Sequence, residues 1–293
     1  MDPRVFYMKI GAMVESFRLG FRGGVEQAAA LGVSGVQAYA TTGELAAENM
    51  TPAKIRETMD ILHTNGLVFS AICGDFGVGF MDPAKNKIYV EKSKRVLDLA
   101  KELDCNVVTT HIGTVPEEEN DTKKIMREAC RELALYADSI GSAFAVETGP
   151  EKAVTLCAFL DSLEAGGLRV NFDPANLVMC VADRPETAVK TLGKYIVHTH
   201  AKDGIMLTRT EAVDGLVISK EAAEHNALVD MGHKYLELPL GEGDVRFDTY
   251  LPALRETGFD GFLTIEREVG GDPVGDIGLA VRFLKEKLNA LGL

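Results

Sequence analysis

The sequence predicts a single-domain (β/α)8 barrel, an α/β fold in which eight parallel strands close into a ring inside a layer of helices. Short apolar segments alternate with helical patterns from one end of the chain to the other, as this architecture requires. The 293 residues are a suitable length for one such domain. No linker or low-complexity tract divides residues 1–293.

An open, doubly wound sheet is the alternative fold, because the same alternation of strand and helix would allow it. A dinucleotide-binding loop after a strand would favour that fold. The nearest match is Gly74, Gly77 and Gly79, whose spacing differs from the fingerprint and which opens no clear helix. We therefore predict the closed barrel.

Eight short segments rich in Val, Ile, Thr or Phe predict the strands. They span residues 8–12, 35–39, 67–72, 107–111, 143–147, 168–173, 196–201 and 262–266. Longer segments with helical periodicity span residues 51–65, 87–103, 117–140, 151–163, 185–192, 247–257 and 274–291. The first of these helices begins at Thr51-Pro52, an N-cap followed by proline at the first helical position, and ends at Asn65-Gly66.

Residues 203–244 form an unusually long connection between the seventh predicted strand and the next helix. Most βα loops have about 2 to 6 residues, and longer ones are usually functional. This loop leaves the barrel on the face where active sites of the fold lie. We expect it to form a lid over the substrate, with an excursion that contacts another subunit as the alternative.

Charge and composition exclude several classes of function. The 31 Lys and Arg residues against 44 Asp and Glu give a net charge of −13, which argues against binding to nucleic acid. No segment approaches the roughly 18 apolar residues of a membrane span, and the first residues lack a signal-peptide core, so we expect a cytoplasmic protein without a membrane partner. The five cysteines form no C-x-x-C pair, which argues against a disulfide framework and a thiolate zinc site.

Four polar residues fall at the carboxyl ends of predicted strands five to eight, namely Glu147, Asp173, His200 and Glu266. Alternate residues of a barrel strand point inward and outward. The outward set in three of these strands is apolar, as packing against helices demands: Phe144, Val146, Val170, Phe172, Leu263 and Ile265. The opposite parity directs the four polar side chains to the inner rim.

Three carboxylates that converge on one rim would repel each other unless a cation lies between them. We therefore predict one divalent metal ion held by Glu147, Asp173, His200 and Glu266. Three carboxylates and one imidazole form a mostly hard ligand set, which favours Mn²⁺ first and also suits Mg²⁺ or Co²⁺, with Zn²⁺ left open.

At these residues the chain resembles the xylose isomerase-like TIM barrel superfamily, which includes sugar epimerases and isomerases, inosose dehydratase and endonuclease IV. The segments that carry the resemblance are AVETGPE, VNFDPANL, HTHAKD, PLGEGDVRF and LTIERE. The resemblance to ketose 3-epimerases implies that Glu147 and Glu266 bind the metal and also form an acid/base pair on opposite faces of the substrate. It implies that Asp173 and His200 are ligands only, and that the chain forms a homo-oligomer.

The predicted chemistry is abstraction of a proton next to a carbonyl. A metal chelated by that carbonyl and a neighbouring hydroxyl stabilises the ene-diolate that deprotonation makes. Return of the proton gives a sugar epimerase or isomerase, whereas loss of a β-oxygen gives a lyase or dehydratase that acts on an inosose or keto-sugar. A catalytically idle carbohydrate-binding barrel is a more distant alternative.

The chain also departs from the patterns of the families that it resembles. Asn176 stands where the ketose 3-epimerases have a histidine, and an amide cannot exchange a proton at neutral pH. Gly149 stands where xylose isomerases have a lysine, which argues against a two-metal hydride shift. Cys73 and Asn176 stand where the nuclease cluster requires histidines.

Four further residues are predicted to bind the substrate, namely His111, Asn176, Lys202 and Arg267. The alternatives are a structural role for His111, an ion pair for Lys202, and an Arg267 that points away from the pocket. The turn at residues 241–244 contains Glu242 and Asp244, which would repel a phosphate. We therefore expect an unphosphorylated carbohydrate or cyclitol as substrate.

Overall fold

The computed structural model describes residues 8–208 and 231–293, which form the predicted (β/α)8 barrel. Eight parallel strands close the ring in the order β1-β10-β7-β6-β5-β4-β3-β2. The barrel strands are β1 (Lys9–Met13), β2 (Gly35–Tyr39), β3 (Val68–Cys73), β4 (Val107–Thr110), β5 (Ala143–Glu147), β6 (Leu168–Phe172), β7 (Ile196–Ala201) and β10 (Phe262–Ile265). The ring closes where Ile10 of β1 pairs with Leu263 of β10. The fold prediction is confirmed.

Helices of eight residues or more surround the barrel, and all seven predicted ones are present. They are α1 (Gly20–Leu31), α2 (Pro52–Thr64), α3 (Pro83–Glu102), α4 (Asp121–Ser139), α5 (Ala153–Asp161), α6 (Pro185–Leu192), α7 (Phe247–Glu256) and α8 (Pro273–Leu291). The N-cap of α2 is Thr51, whose side chain accepts a hydrogen bond from the Lys54 N–H. Across the described residues, none of these helices is both long and apolar enough to cross a membrane.

Helix α1 is the one that the sequence patterns did not predict. Its first turns contain three glycines, which lower helix propensity. Gly24 is nevertheless required, because a Cβ there would lie 2.7 Å from Val14 Cγ1. The glycine lets the helix approach the end of β1 closely, and Phe21, Val25 and Ala28 are buried in the core.

The two faces of the barrel strands differ in the way that the alternation predicted. Six outward side chains are at most 1% exposed and pack in the core between strands and helices: Phe144, Val146, Val170, Phe172, Leu263 and Ile265. Buried polar side chains fill the inside of the barrel, among them Gln37, Ser70, Thr109, Asn171, His198 and Thr264. The inner layer therefore consists of hydrogen-bonded groups, at the top of which the predicted ligands lie.

The long connection after β7 contains regular structure at both of its ends. Strands β8 (Asp203–Met206) and β9 (Tyr235–Leu238) pair as an antiparallel ribbon. The carboxylate of Asp203 accepts hydrogen bonds from the N–H groups of Gly204, Gly241, Gly243 and Val245, and so fixes the base of the ribbon. Residues 209–230 of the predicted lid lie outside the described part of the chain.

Candidate metal centre and active site

The carboxyl ends of β5, β6, β7 and β10 bring Glu147, Asp173, His200 and Glu266 together. One ligand atom from each of the four residues lies within 4.8 Å of the others. His200 Nδ1 lies 3.5 Å from Glu147 Oε2, 3.5 Å from Asp173 Oδ2 and 3.2 Å from Glu266 Oε2. All four residues are buried, and none is more than 6% exposed.

Two atoms at the centre of this cluster have no hydrogen-bond partner within the described residues, namely Asp173 Oδ2 and His200 Nδ1. Leaving a buried polar group unpaired costs about 1–3 kcal/mol, so such atoms call for an explanation. The other carboxylate oxygen of Asp173 accepts the N–H of Asn176 and caps the helical turn that follows β6. Asp173 therefore acts as an N-cap through Oδ1 and leaves Oδ2 directed at the cluster, where a cation would pair with it.

The charges of the cluster compensate each other. Burial disfavours every charged form, yet His200 and His111 hold the pKa of Glu147 well below its usual range. Lys202 and His200 likewise lower the pKa of Glu266 to about 2 against the effect of burial. Glu266 and Glu147 in turn hold the pKa of His200 well above its usual range, although burial opposes this. Burial raises the pKa of Asp173 instead. The two glutamates therefore keep their negative charge at this buried position beside the positive groups of His200, His111 and Lys202.

Gln37, in the middle of β2, orients the His200 ring. Its Oε1 lies 3.1 Å from His200 Nε2, and its Nε2 donates to Thr109 Oγ1 at 3.1 Å. In this orientation of the amide, the Gln37 oxygen faces His200 and accepts from a protonated Nε2. In a neutral ring this leaves the lone pair of Nδ1 toward the carboxylates, which is the tautomer that a metal ligand needs.

Asn171 and His198 support Glu147 from below. Asn171 Nδ2 donates to Glu147 Oε2 at 3.1 Å and also lies 3.2 Å from His200 Nε2. His198 Nδ1 donates to Asn171 Oδ1 at 2.8 Å, and its Nε2 accepts from Thr264 Oγ1 at 2.8 Å. Burial and the nearby His200 hold the pKa of His198 well below its usual range, so the ring is neutral and serves the network.

A cavity of about 270 Å³ lies above the cluster and contains His111, half-exposed at its wall. His111 Nδ1 is 3.0 Å from Asp75 Oδ2, and its Nε2 is 3.6 Å from Glu147 Oε1. Glu147 and Asp75 raise the pKa of His111 to about 11 against burial. Sequence reasoning missed Asp75, whose only signal is its place two residues after the end of β3.

Asn176 and Lys202 line the same cavity and each holds one of the two glutamates. Asn176 Nδ2 donates to Glu147 Oε1 at 2.8 Å. Lys202 Nζ donates to Glu266 Oε2 at 3.0 Å and to Glu268 Oε2 at 2.5 Å. Although burial opposes the charge, Glu266 and Asp173 hold the pKa of Lys202 well above its usual range. Both predicted substrate-binding residues therefore also orient a predicted catalytic residue.

Arg267 is placed differently from the other predicted substrate-binding residues. Its guanidinium donates to Glu237 Oε1 at 2.6 Å and to Asp276 Oδ2 at 2.8 Å. Among the described residues it is not part of the cavity wall. This placement favours the alternative stated for it, an arginine that points away from the pocket. Glu237, on β9, was also missed, because sequence alone does not show what a residue in a long connection contacts.

Comparison with known proteins gives the same architecture. Residues 25–287 match the model of a family described as xylose isomerase-like TIM barrel. A xylose isomerase domain protein from Planctomyces limnophilus superposes with a TM-score of 0.78 at 24% identity, with 98% of each chain covered. A D-tagatose 3-epimerase-like protein gives a TM-score of 0.72 at 21% identity, with 97% of this chain and 98% of that chain covered.

A third similar structure is that of a protein described as a probable dehydratase. The probable 3-DHS dehydratase AsbF from Bacillus anthracis, involved in petrobactin synthesis, superposes with a TM-score of 0.71 at 20% identity. The match covers 95% of this chain and 99% of that chain. At these identities the three structures are evidence of a common fold.

Proposed function

Because the chain belongs to the xylose isomerase-like TIM barrel family, we propose that it is a divalent-metal-dependent enzyme that epimerises or isomerises a carbohydrate. The observation that carries the proposal is the buried cluster of Glu147, Asp173, His200 and Glu266. Its two central atoms lack a partner among the described residues and lie where a cation would bind. The proposed reaction moves a proton next to the carbonyl of the substrate.

The ligand set fits a hard divalent ion. With an ion bound, Glu147, Asp173 and Glu266 would carry three negative charges, of which the divalent ion would balance two and Lys202 the third. Mn²⁺, Mg²⁺ and Co²⁺ prefer such oxygen-rich sets, and Zn²⁺ also accepts them. When bound, the ion would polarise the carbonyl of the substrate and stabilise the negative charge that deprotonation creates.

Glu147 and Glu266 are the proposed acid/base pair. They reach the rim from β5 and β10, which are separated in the ring by β6 and β7, so they lie on either side of Asp173 and His200. Asn176 holds one oxygen of Glu147, and Lys202 holds one oxygen of Glu266. One glutamate would remove the proton and the other would return it from the opposite side, which inverts the carbon.

The substrate we propose is a small unphosphorylated carbohydrate or cyclitol. His111, Asn176 and Lys202 offer hydrogen bonds to its hydroxyl groups from the cavity wall. Asp75 and Glu268 also line this cavity and would repel a phosphate group. The D-tagatose 3-epimerase-like neighbour supports a sugar substrate by analogy of fold. The predictions of a cytoplasmic location, a homo-oligomer and the absence of a nucleic-acid partner remain predictions.

A lyase or dehydratase is the second candidate function. The same metal and the same proton abstraction would then be followed by loss of a β-oxygen from the substrate. His111 and Lys202 favour this candidate, because both face the cavity with N–H groups that could donate to a leaving oxygen. The probable 3-DHS dehydratase among the structural neighbours supports it by analogy of fold.

Two measurements test the proposed function. Elemental analysis of the purified protein should find about one divalent metal ion per chain. With Mn²⁺ added, solvent deuterium from D₂O should enter ketoses, inososes or 3-keto-glycosides next to the carbonyl. Epimerised product indicates the first function, and an unsaturated product indicates the lyase. A protein without bound metal and without exchange would instead be the idle carbohydrate-binding barrel.

Substitution of the two glutamates makes this test specific. Glu147→Gln and Glu266→Gln should each abolish deuterium exchange, since an amide cannot accept the proton. Glu57→Gln, on the exposed surface of α2, is the matched control and should exchange as fast as the unaltered protein. If either glutamine variant at the rim retained full exchange, the acid/base assignment would be wrong.

A further inference from the structure

A second cavity, of about 610 Å³, adjoins the one above the metal cluster. We call it the distal cavity. The two cavities have four lining residues in common, namely Asn176, Lys202, Tyr235 and Glu268. The distal cavity therefore lies directly beside the metal cavity, within reach of a group attached to a ligand at the metal cluster.

The distal cavity has more apolar wall than the metal cavity, although His233, Lys234 and Glu237 also line it. Met179, Leu236 and Val269 contribute apolar wall from three separate elements: the helical turn after β6, the ribbon strand β9 and the segment after β10. The side chains of Tyr235 and Val269 are 50% and 45% exposed, although both are large and apolar. Clustered exposed apolar side chains beside a polar site indicate a ligand-binding surface.

The wall of the distal cavity is held in place by buried ion pairs. Glu237 on β9 accepts from Arg267 Nη1 at 2.6 Å and from the Glu268 N–H at 3.2 Å. Arg267 is anchored in turn by Asp276 at 2.8 Å and through its own N–H by Ser16. The ribbon is thereby tied to the end of β10, so the cavity is present before a ligand arrives.

From these observations we infer that the natural substrate is a carbohydrate that carries an apolar group of about the size of an aromatic ring. This inference rests on the proposed function and specifies its substrate class. The carbonyl-bearing ring occupies the polar cavity of about 270 Å³, and the apolar group occupies the distal cavity, which is more than twice as large. A free monosaccharide would leave the apolar wall in contact with water.

A pair of probes that differ only in the apolar group tests the inference. Methyl and phenyl 3-oxo-β-D-glucopyranoside present the same carbonyl-bearing ring. With the Mn²⁺-loaded protein, we expect kcat/KM for deuterium exchange to be at least about tenfold higher for the phenyl probe, because the phenyl ring leaves water. Calorimetric titration of both probes measures the same preference in binding and does not depend on turnover.

Val269→Trp makes the test local to the distal cavity, because it fills the cavity from an exposed position. It should lower kcat/KM for the phenyl probe about tenfold more than for the methyl probe. Val68→Trp is the matched control, since Val68 is 50% exposed but begins β3 at the opposite end of the barrel. The control should keep the full preference for the phenyl probe. Metal content of both variants verifies that the site is intact.

The outcomes separate this inference from the proposed function. Equal kcat/KM and equal affinity for the two probes would overturn the distal-cavity assignment and leave the proposed function standing. An equal loss for both probes in Val269→Trp would also overturn it. Absence of bound metal, exchange and binding with both probes would overturn the proposed function, and the inference would fall with it.

Discussion

The two halves of the barrel contribute different kinds of side chain to the metal cavity. The carboxyl ends of β5, β6, β7 and β10 carry all four ligand candidates. Strands β1 to β4 themselves contribute uncharged groups to the same cavity, such as Met13, Gln37, Cys73 and Thr109, while Asp75 and His111, which follow β3 and β4, line its wall outside the ligand set. We refer to the two sets of strands as the charged half and the neutral half. The charged half has the groups that can hold an ion, and the neutral half has groups that orient those ligands and leave room for the substrate.

This difference indicates that the proposed metal centre depends on both halves, since one half contributes the ligands and the other helps to orient them. A cluster of three buried carboxylates is costly unless every charge has a partner. Within the described residues, His200 Nε2 faces Gln37 Oε1 of the neutral half at 3.1 Å, and Asn171 Nδ2 of the charged half lies 3.2 Å from the same nitrogen.

The largest effect should follow from removal of a ligand in the charged half. We expect His200→Ala to weaken divalent metal binding by about a hundredfold or more, because one ligand is lost and three carboxylates remain close together. Elemental analysis and titration with Mn²⁺ measure the change. His63→Ala, on the exposed surface of α2, is the control and should bind metal normally. Unchanged metal content in His200→Ala would show that the charged half does not hold the ion.

Removal of the metal itself should have the next largest effect. A ligand present at a hundred times its dissociation constant stabilises the folded state by about 2.7 kcal/mol. For a domain of this size we expect a chelator to lower Tm by about 5 °C, because the carboxylates then repel one another. Differential scanning calorimetry with and without Mn²⁺ measures the shift. The same shift in His200→Ala would mean that the ion binds elsewhere.

A smaller effect should follow from a change in the neutral half. Gln37→Leu removes the acceptor for His200 Nε2 and keeps a similar volume, so we expect metal affinity to fall about tenfold. Thr109→Val removes only the hydrogen bond that fixes the Gln37 amide and should reduce affinity by less. Metal titration of both variants measures the two effects. If Gln37→Leu bound metal as tightly as the unaltered protein, the two halves would be independent.

The sequence predicted the charged half of the site better than the neutral half, for a physical reason. Strand alternation is local, so the parity of residues within β5, β6 and β10 already directed Glu147, Asp173 and Glu266 inward. Gln37 has no such signal, because its partner His200 is 163 residues away and meets it only when the barrel closes. The direction of Arg267 likewise depends on Glu237, whose place on β9 is set by strand pairing that the sequence does not reveal.

We expect the smallest effect from a substitution of Arg267, which tests whether a charged residue near the cluster contributes to metal binding. Arg267 follows β10 but donates to Glu237 and Asp276 on the side away from the cluster. Arg267→Lys keeps the charge and loses the planar, two-sided hydrogen bonding. We expect it to lower the free energy of unfolding by about 1 kcal/mol, less than the loss of a buried charge would. Metal affinity should stay unchanged.

Urea denaturation and Mn²⁺ titration of the same preparation measure both quantities. Arg95→Lys is the matched control, because Arg95 pairs with Glu102 on the exposed surface of α3 and its exchange should alter stability by no more than about 0.5 kcal/mol. A loss of metal affinity in Arg267→Lys would mean that the ribbon is coupled to the ion through Glu237 and Lys202, which lie 3.9 Å apart. The charged half would then act as one unit rather than as a metal centre beside a separately anchored ribbon.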